Sequence, residues 1–343
     1  MSETLSVKKK KYNLLNAFRL IAAFSVITIH VHFPGTFGTV MIDLARYAVP
    51  FFFMVSGFFS YYTDSTYALD KIKTKIRHIS IIYIGAAALY SAYKLITMGT
   101  AYIKRVFALQ AIAEFFLFNM PESSEHLWFL PALVYTYIAF YFFEKLKITK
   151  KMYFLIPLLL LAGIAAKEIF INFGYPLETL KNGYIYRNFF VLGIPFFMLG
   201  HLIKANEEKL KSKISNPVLI TVFIAGLAES VVVGHLHAQK NIYIGTIISV
   251  FALFIFIIKN EEKIRMPHIA LIGEKYSLYI YIIHIIIRNV ANKFIEIIPV
   301  FKNSSEILET AMPMLIFFAS IIVSAIYLSG KTSIKKLIAK KKS

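Results

Sequence analysis

Leu14-Leu-Asn-Ala-Phe-Arg19-Leu-Ile-Ala-Ala-Phe-Ser-Val-Ile-Thr-Ile-His30-Val31 is an apolar run of membrane-crossing length that carries one guanidinium and one imidazole. About 20 apolar residues span a bilayer core as a helix. A cation inside such a segment costs roughly 2.5–3.5 kcal/mol on insertion scales, so its presence points to function. At about 100° per residue, eleven steps bring the chain back to within about 20° of the starting direction, so Arg19 and His30 leave the same helix face. With a rise of about 1.5 Å per residue they lie roughly 16 Å apart along it. That is too far for a mutual hydrogen bond and suits the two ends of one long ligand.

The rest of the chain follows the same pattern. Of its 343 residues, 58% are hydrophobic and 17% charged, with a mean hydropathy of +0.64, the composition of an integral membrane protein. The net charge of +19 suggests nucleic acid until its distribution is considered: the basic residues sit in short clusters between apolar runs. Cysteine is absent, which excludes disulfides, thiolate catalysis and cysteine-ligated metal. No zinc spacing, Walker loop or dinucleotide fingerprint appears, so neither a metal site nor a bound cofactor is expected.

Apolar runs recur near 14–31, 45–62, 77–96, 127–146, 152–170, 186–203, 216–235, 242–258, 277–298 and 309–328. The expected fold is all-α and polytopic, with about ten transmembrane helices. No small-residue cleavage pattern precedes the first run, so it is expected to be retained as a helix. Placing both termini in the cytoplasm puts 25 of the 38 basic residues inside, with a cluster in every cytoplasmic loop. The domain reading is a basic tail at 1–11, a membrane domain at 12–330 and a second basic tail at 331–343. Ala108–Phe118, in the longest external connection, has re-entrant or interfacial length. Pro50-Phe-Phe-Phe-Met-Val-Ser-Gly57 and Pro195-Phe-Phe-Met-Leu-Gly200 echo each other faintly, too briefly to be a repeat.

His30 is the candidate general base, because an imidazole titrates near neutrality. Arg19, near the cytoplasmic side, is the candidate anion clamp. Further pocket candidates are Arg46 and Ser56 in the second span, His126 and Trp128 at the head of the fourth, and Arg187 at the outer end of the sixth. Glu229 in the seventh span, with an unnamed partner, and Ser277 and His284 in the ninth complete the set. Asp43 and Arg46 are spaced to pair with each other, Ser56-Gly57 also suits plain helix packing, and Trp128 also suits an interfacial anchor.

Arg19-x10-His30 followed by Val49-Pro-Phe-Phe-Phe-Met-Val-Ser-Gly-Phe58, His126-Leu-Trp-Phe-Leu130, the Arg187…Gly200 span and Ser277-Leu-Tyr-Ile-Tyr-Ile-Ile-His284 resembles the acyltransferase-3 family of bacterial integral-membrane O-acyltransferases, over about residues 12–330. The resemblance implies transfer of an acyl group, acetyl being the expected one, from cytoplasmic acyl-CoA to a hydroxyl of an envelope polysaccharide or lipid-linked sugar. It implies a plasma-membrane location, and partners limited to acyl-CoA, the sugar acceptor, the bilayer and polysaccharide-assembly proteins. It also makes Arg19 and His30 the essential pair. Val-Pro-Phe-Phe-Phe and Arg-Asn-Phe-Phe are similar, in addition, to the membrane half of vancomycin-resistance serine racemases, where serine transport is implied. Neither an esterase-like domain nor a racemase half appears in these residues, so the chain is expected to act alone or to hand its acyl group on. The rival expectations are a transporter of a small polar solute such as serine, an exporter of a glycan precursor, or a scaffold for a polysaccharide synthase.

Overall fold

The computed structural model describes residues 11–172, 187–236, 243–298 and 305–342, and among these there are helices and no strands. In chain order the helices are α1 (Asn13–His30), α2 (Gly35–Ala45), α3 (Ala48–Phe58), α4 (Ser65–Met98), α5 (Thr100–Val106), α6 (Leu109–Phe118), α7 (Phe129–Lys145), α8 (Thr149–Met152) and α9 (Leu155–Asn172). They continue as α10 (Ile194–Ala205), α11 (Glu207–Lys213), α12 (Asn216–Leu236), α13 (Ile244–Asn260), α14 (Pro267–Ile297) and α15 (Ser305–Lys342). A 3₁₀ turn, Glu125–Trp128, leads into α7, and a π turn, Phe189–Gly193, leads into α10.

Each of the ten apolar runs falls on a helix. Seven helical segments among the described residues are long and apolar enough to cross a membrane, and an eighth is the bent pair Phe189–Ala205 with Glu207–Lys213, turned by 79°. The other two runs lie on α9, of 18 residues, and α13, of 17. The second span departs from the expected 45–62. It starts at Gly35, ends at Phe58, and is interrupted at Arg46-Tyr47. Pro50 accounts for the interruption: it has no N–H to give the Arg46 carbonyl, and its ring crowds that carbonyl. α4 and α14 outrun their apolar stretches toward the basic ends, and α15 continues unbroken through residues 331–342. Ala108–Phe118 forms α6, which buries none of its side chains.

The core gathers around α1, α3, α7, α10, α13 and α14, while the apolar window of α4 is only 11% buried and lies at the rim. The two Pro-Phe-Phe stretches that echo each other in sequence are packing partners. A Cβ on Gly57 would lie 1.8 Å from the Phe197 carbonyl oxygen, and one on Gly200 would lie 2.0 Å from that of Met54. The α3 and α10 backbones therefore touch, as small residues allow between membrane helices. Gly273 does the same for α14 against α1, where a Cβ would meet the Asn16 carbonyl at 1.9 Å.

At the basic end of the bundle α1 is held by distant carboxylates. Tyr12 offers its helix no side-chain cap; instead the Leu14 and Leu15 amides donate to Glu261 Oε1 and Oε2 at 2.8 and 3.1 Å. This is an anion at a positive helix end, satisfying two otherwise orphan donors. Tyr12 Oη donates to Glu207 Oε2 at 3.1 Å, and Lys204 and Lys211 reach the same carboxylate at 2.5 Å each. Burial alone would raise the Glu207 pKa, but the two lysines outweigh it and hold the group at about 2, against the usual 4.5. A carboxylate depressed on folding stabilises above its unfolded pKa, and that stability drains away as pH falls toward the folded value. The melting temperature in detergent should therefore drop between about pH 4.5 and pH 2, and Glu207→Gln should flatten that segment of the curve. An unchanged slope in the variant would mean that other acids control it.

Candidate functional site

Two cavities lie along α1, and Tyr281 is a wall of both. The first, about 110 Å³, is lined by Arg19 of α1, Phe52, Val55 and Ser56 of α3, Ile79 of α4, Phe129 and Leu133 of α7, and Ser277 and Tyr281 of α14. Its surface is mostly apolar. Arg19 Nη1 donates to Asn16 Oδ1 at 3.1 Å, while Arg19 Nε and the Ser277 hydroxyl are buried without a hydrogen-bond partner. Buried polar atoms are nearly always bonded, so two orphans on residues of one cavity wall are uncommon. Ser56 turns its hydroxyl onto the Phe52 carbonyl at 2.9 Å.

The second cavity, about 80 Å³, is lined by His30, Arg46, His126, Trp128 and Arg187 together with Val26, Pro50, Leu192 and Tyr281. His30 is the last residue of α1. Arg288 of α14 fixes that helix end by donating from Nη1 to the His30 carbonyl at 3.1 Å, a cation at the negative end of a helix. The His30 ring itself has no hydrogen bond among the described residues. It lies 5.3 Å from the ring of His284 and 6.2 Å from that of His126, and these two are 5.2 Å apart.

The three imidazoles differ in what they can do. His126 is held on both sides: Nε2 faces the Ile282 carbonyl at 3.2 Å, which requires a proton on that nitrogen, and Nδ1 then accepts from the Ser124 hydroxyl at 2.7 Å. His284 is fully buried and spends Nδ1–H on the Tyr281 carbonyl at 2.7 Å, leaving Nε2 as a bare acceptor inside the protein. His30 alone lines a cavity with both nitrogens unclaimed. Among the described residues no set of three or more His, Asp or Glu side chains is placed to hold a metal ion.

Arg46 pairs with Asp43 at 3.3 Å through Nε, and Asp43 is steadied by the Tyr243 hydroxyl at 3.2 Å. Arg187 is set by Asn119, which takes a hydrogen bond from Phe189 N at 3.0 Å and gives one to the Arg187 carbonyl at 3.0 Å. Asn188 then caps the π turn by accepting from the Phe190 and Val191 amides. Trp128 is 92% buried on the cavity wall, its exposed share being 8%.

Glu229 belongs to neither cavity: it accepts from the Gly245 amide at 2.8 Å in the α12–α13 contact, which supplies the partner its sequence position left unnamed. His284 also stays off the wall, behind His30. Tyr281 is the residue that sequence reasoning passed over. Its hydroxyl donates to the His126 carbonyl, and its spacing, four after Ser277 and three before His284, puts all three on one helix face.

The sequence pattern described as an acyltransferase domain, acyltransferase 3, matches residues 12–329. Among curated proteins the chain is similar to an amino-acid racemase of Enterococcus faecalis, 28% identical over 277 residues that make up 75% of this chain and 37% of that protein. A second amino-acid racemase from the same organism is 26% identical over 325 residues, 86% of this chain and 44% of that one. A serine/alanine racemase of Enterococcus gallinarum is 24% identical over 294 residues, 79% of this chain and 40% of the relative. The chain thus spans less than half the length of these relatives. No solved structure matches it. With the match running through all the helices that build the two cavities, the chain belongs to the acyltransferase-3 family of membrane proteins.

Proposed function

We propose that the protein transfers an acyl group, acetyl in the simplest case, from cytoplasmic acyl-CoA to a hydroxyl of an envelope sugar or lipid-linked glycan precursor. The observation that carries this reading is the pair of cavities sharing Tyr281, one with Arg19 on its wall and the other with His30. Acyl-CoA is long, anionic at one end and reactive at the other. Arg19 holds its phosphates through the guanidinium, and the pantetheine arm passes Tyr281 toward His30. His30 takes the proton as the acceptor oxygen attacks the thioester carbonyl. The carbon–oxygen bond forms, the carbon–sulfur bond breaks, and the leaving thiolate recovers the proton from the imidazolium to give free CoA. Both termini lie in the cytoplasm in this reading, and the plasma membrane is the place of action.

Purified protein in lipid, given radiolabelled acetyl-CoA and a membrane extract as acceptor source, should move label into an alkali-labile ester. Failure to do so with intact donor binding would sink the proposal. Arg19→Lys should weaken acetyl-CoA binding by roughly tenfold although the charge is kept, because the planar fork is lost. Wild-type affinity in Arg19→Ala would reduce the residue to a helix anchor. The racemase names of the relatives favour a second reading, passage of a small amino acid such as serine. Uptake of labelled serine into proteoliposomes without any acyl donor would support it over acyl transfer.

A further inference from the structure

Tyr281, His284 and Arg288 follow one another on α14 at steps of three and four residues, so they share one face of that helix. It is the face that meets the end of α1, where Arg288 Nη1 donates to the His30 carbonyl at 3.1 Å. The His284 ring is wholly buried on it, with Nδ1 2.7 Å from the Tyr281 carbonyl. A carbonyl only accepts, so the proton of the neutral ring sits on Nδ1 and Nε2 is left as an acceptor. The backbone of α14 thus decides the tautomer.

Three polar rings stand around His284 among the described residues. His126 lies 5.2 Å away but has both nitrogens engaged, with the Ile282 carbonyl and the Ser124 hydroxyl. Tyr281 gives its hydroxyl proton to the His126 carbonyl. His30 is the third, 5.3 Å away, and it stands between His284 and the second cavity, whose wall it forms. Ring centres 5.3 Å apart bring two facing nitrogens to about 3 Å, an ordinary hydrogen-bond length. A turn of the His30 side chain closes that contact.

We propose, resting on the acyl-transfer reading above, that His284 is a positioning residue for His30, its Nε2 accepting the N–H of one His30 nitrogen. The two nitrogens of an imidazole point apart, so holding one aims the other, with its lone pair, at the cavity and the acceptor hydroxyl. When His30 takes the hydroxyl proton it keeps its first N–H on His284, in a bond now strengthened by charge. His284 stays neutral, and the same proton passes from His30 to the leaving thiolate. A carboxylate has this part in the Ser-His-Asp triad. Among membrane helices a neutral ring backed by a carbonyl does the same without carrying a charge into the apolar interior.

Purified protein in lipid, assayed with radiolabelled acetyl-CoA and saturating acceptor extract, separates positioning from packing. His284→Phe keeps a ring and removes the acceptor atom. It should lower kcat on the order of tenfold, the effect of losing one hydrogen bond, with the KM for acetyl-CoA unchanged. His284→Gln, whose side-chain oxygen accepts from near the place of Nε2, should recover part of that loss. Wild-type kcat in His284→Phe overturns the inference, and so does a Gln variant no more active than the Phe one. The contact is also read without turnover, in wild-type protein carrying ¹⁵N-histidine. A coupling across an N–H···N bond between the His30 and His284 signals supports the pair, and its absence overturns it. If the wild-type protein transfers no label, it is the acyl-transfer reading that fails, and the coupling alone then decides the pair.

Discussion

Replacing His30 by Ala or Gln is expected to lower O-acylation by about 10²–10⁴-fold, the usual contribution of a well-placed general base, with protein level and acyl-CoA binding close to wild type. The prediction is specific because the His30 ring forms no hydrogen bond among the described residues that its removal would break. The helix end it occupies is held through its backbone carbonyl by Arg288, a contact that any side chain at position 30 retains. Mass spectrometry of the polysaccharide from cells producing the variant decides the matter. The rate should also fall on acidification, since an imidazolium cannot accept the hydroxyl proton. Persistence of acylation near the wild-type level would remove His30 from the mechanism. The neighbouring imidazoles make poor substitutes, His126 being bonded through both nitrogens and His284 enclosed.

The second large effect is on stability. Gly200→Val should destabilise the bundle by on the order of 3 kcal/mol, at the upper end for an overpacked core, because the added carbon collides with backbone that cannot swing aside. That carbon would sit 2.0 Å from the Met54 carbonyl oxygen, in the α3–α10 crossing that also carries Ser56 and Pro50 on the cavity walls. Gly85 is the matched control: nothing lies within 4 Å of a Cβ there, so Gly85→Ala should be neutral or gain up to about 1 kcal/mol from helix propensity. Denaturant unfolding of both variants in detergent compares them. Equal midpoints would show that α3 and α10 can part without cost.

Much of this architecture was legible because a bilayer demands long apolar runs, and each of the ten runs overlaps a helix among the described residues. Spacing also placed Arg19 and His30 on one face, and each lines one of two cavities that have Tyr281 as a common wall. What the sequence withheld has physical reasons. The break at Arg46-Tyr47 comes from Pro50 acting four residues upstream, whereas hydropathy responds only to side-chain polarity. Glu229 looked like a pocket charge because a lone carboxylate in an apolar run has no visible partner; its partner is a backbone amide, Gly245 N, which no side-chain pattern announces. Tyr281 was hidden by composition. In a chain with 21 tyrosines and 32 phenylalanines, one more aromatic on a helix carries no signal until its hydroxyl is seen to donate to a neighbour's carbonyl.

The carboxylate that caps α1 also bears on how the protein is made. Glu261 lies 247 residues after Leu14 in the chain, and Gly273, which lets α14 press against α1, comes later still. α1 therefore receives its cap only once the 247 residues from Leu14 to Glu261 have been added, and the partner that packs on it later still. A nascent chain stalled before Glu261 should consequently be the species most exposed to membrane quality-control proteases, however many of its spans have already been inserted.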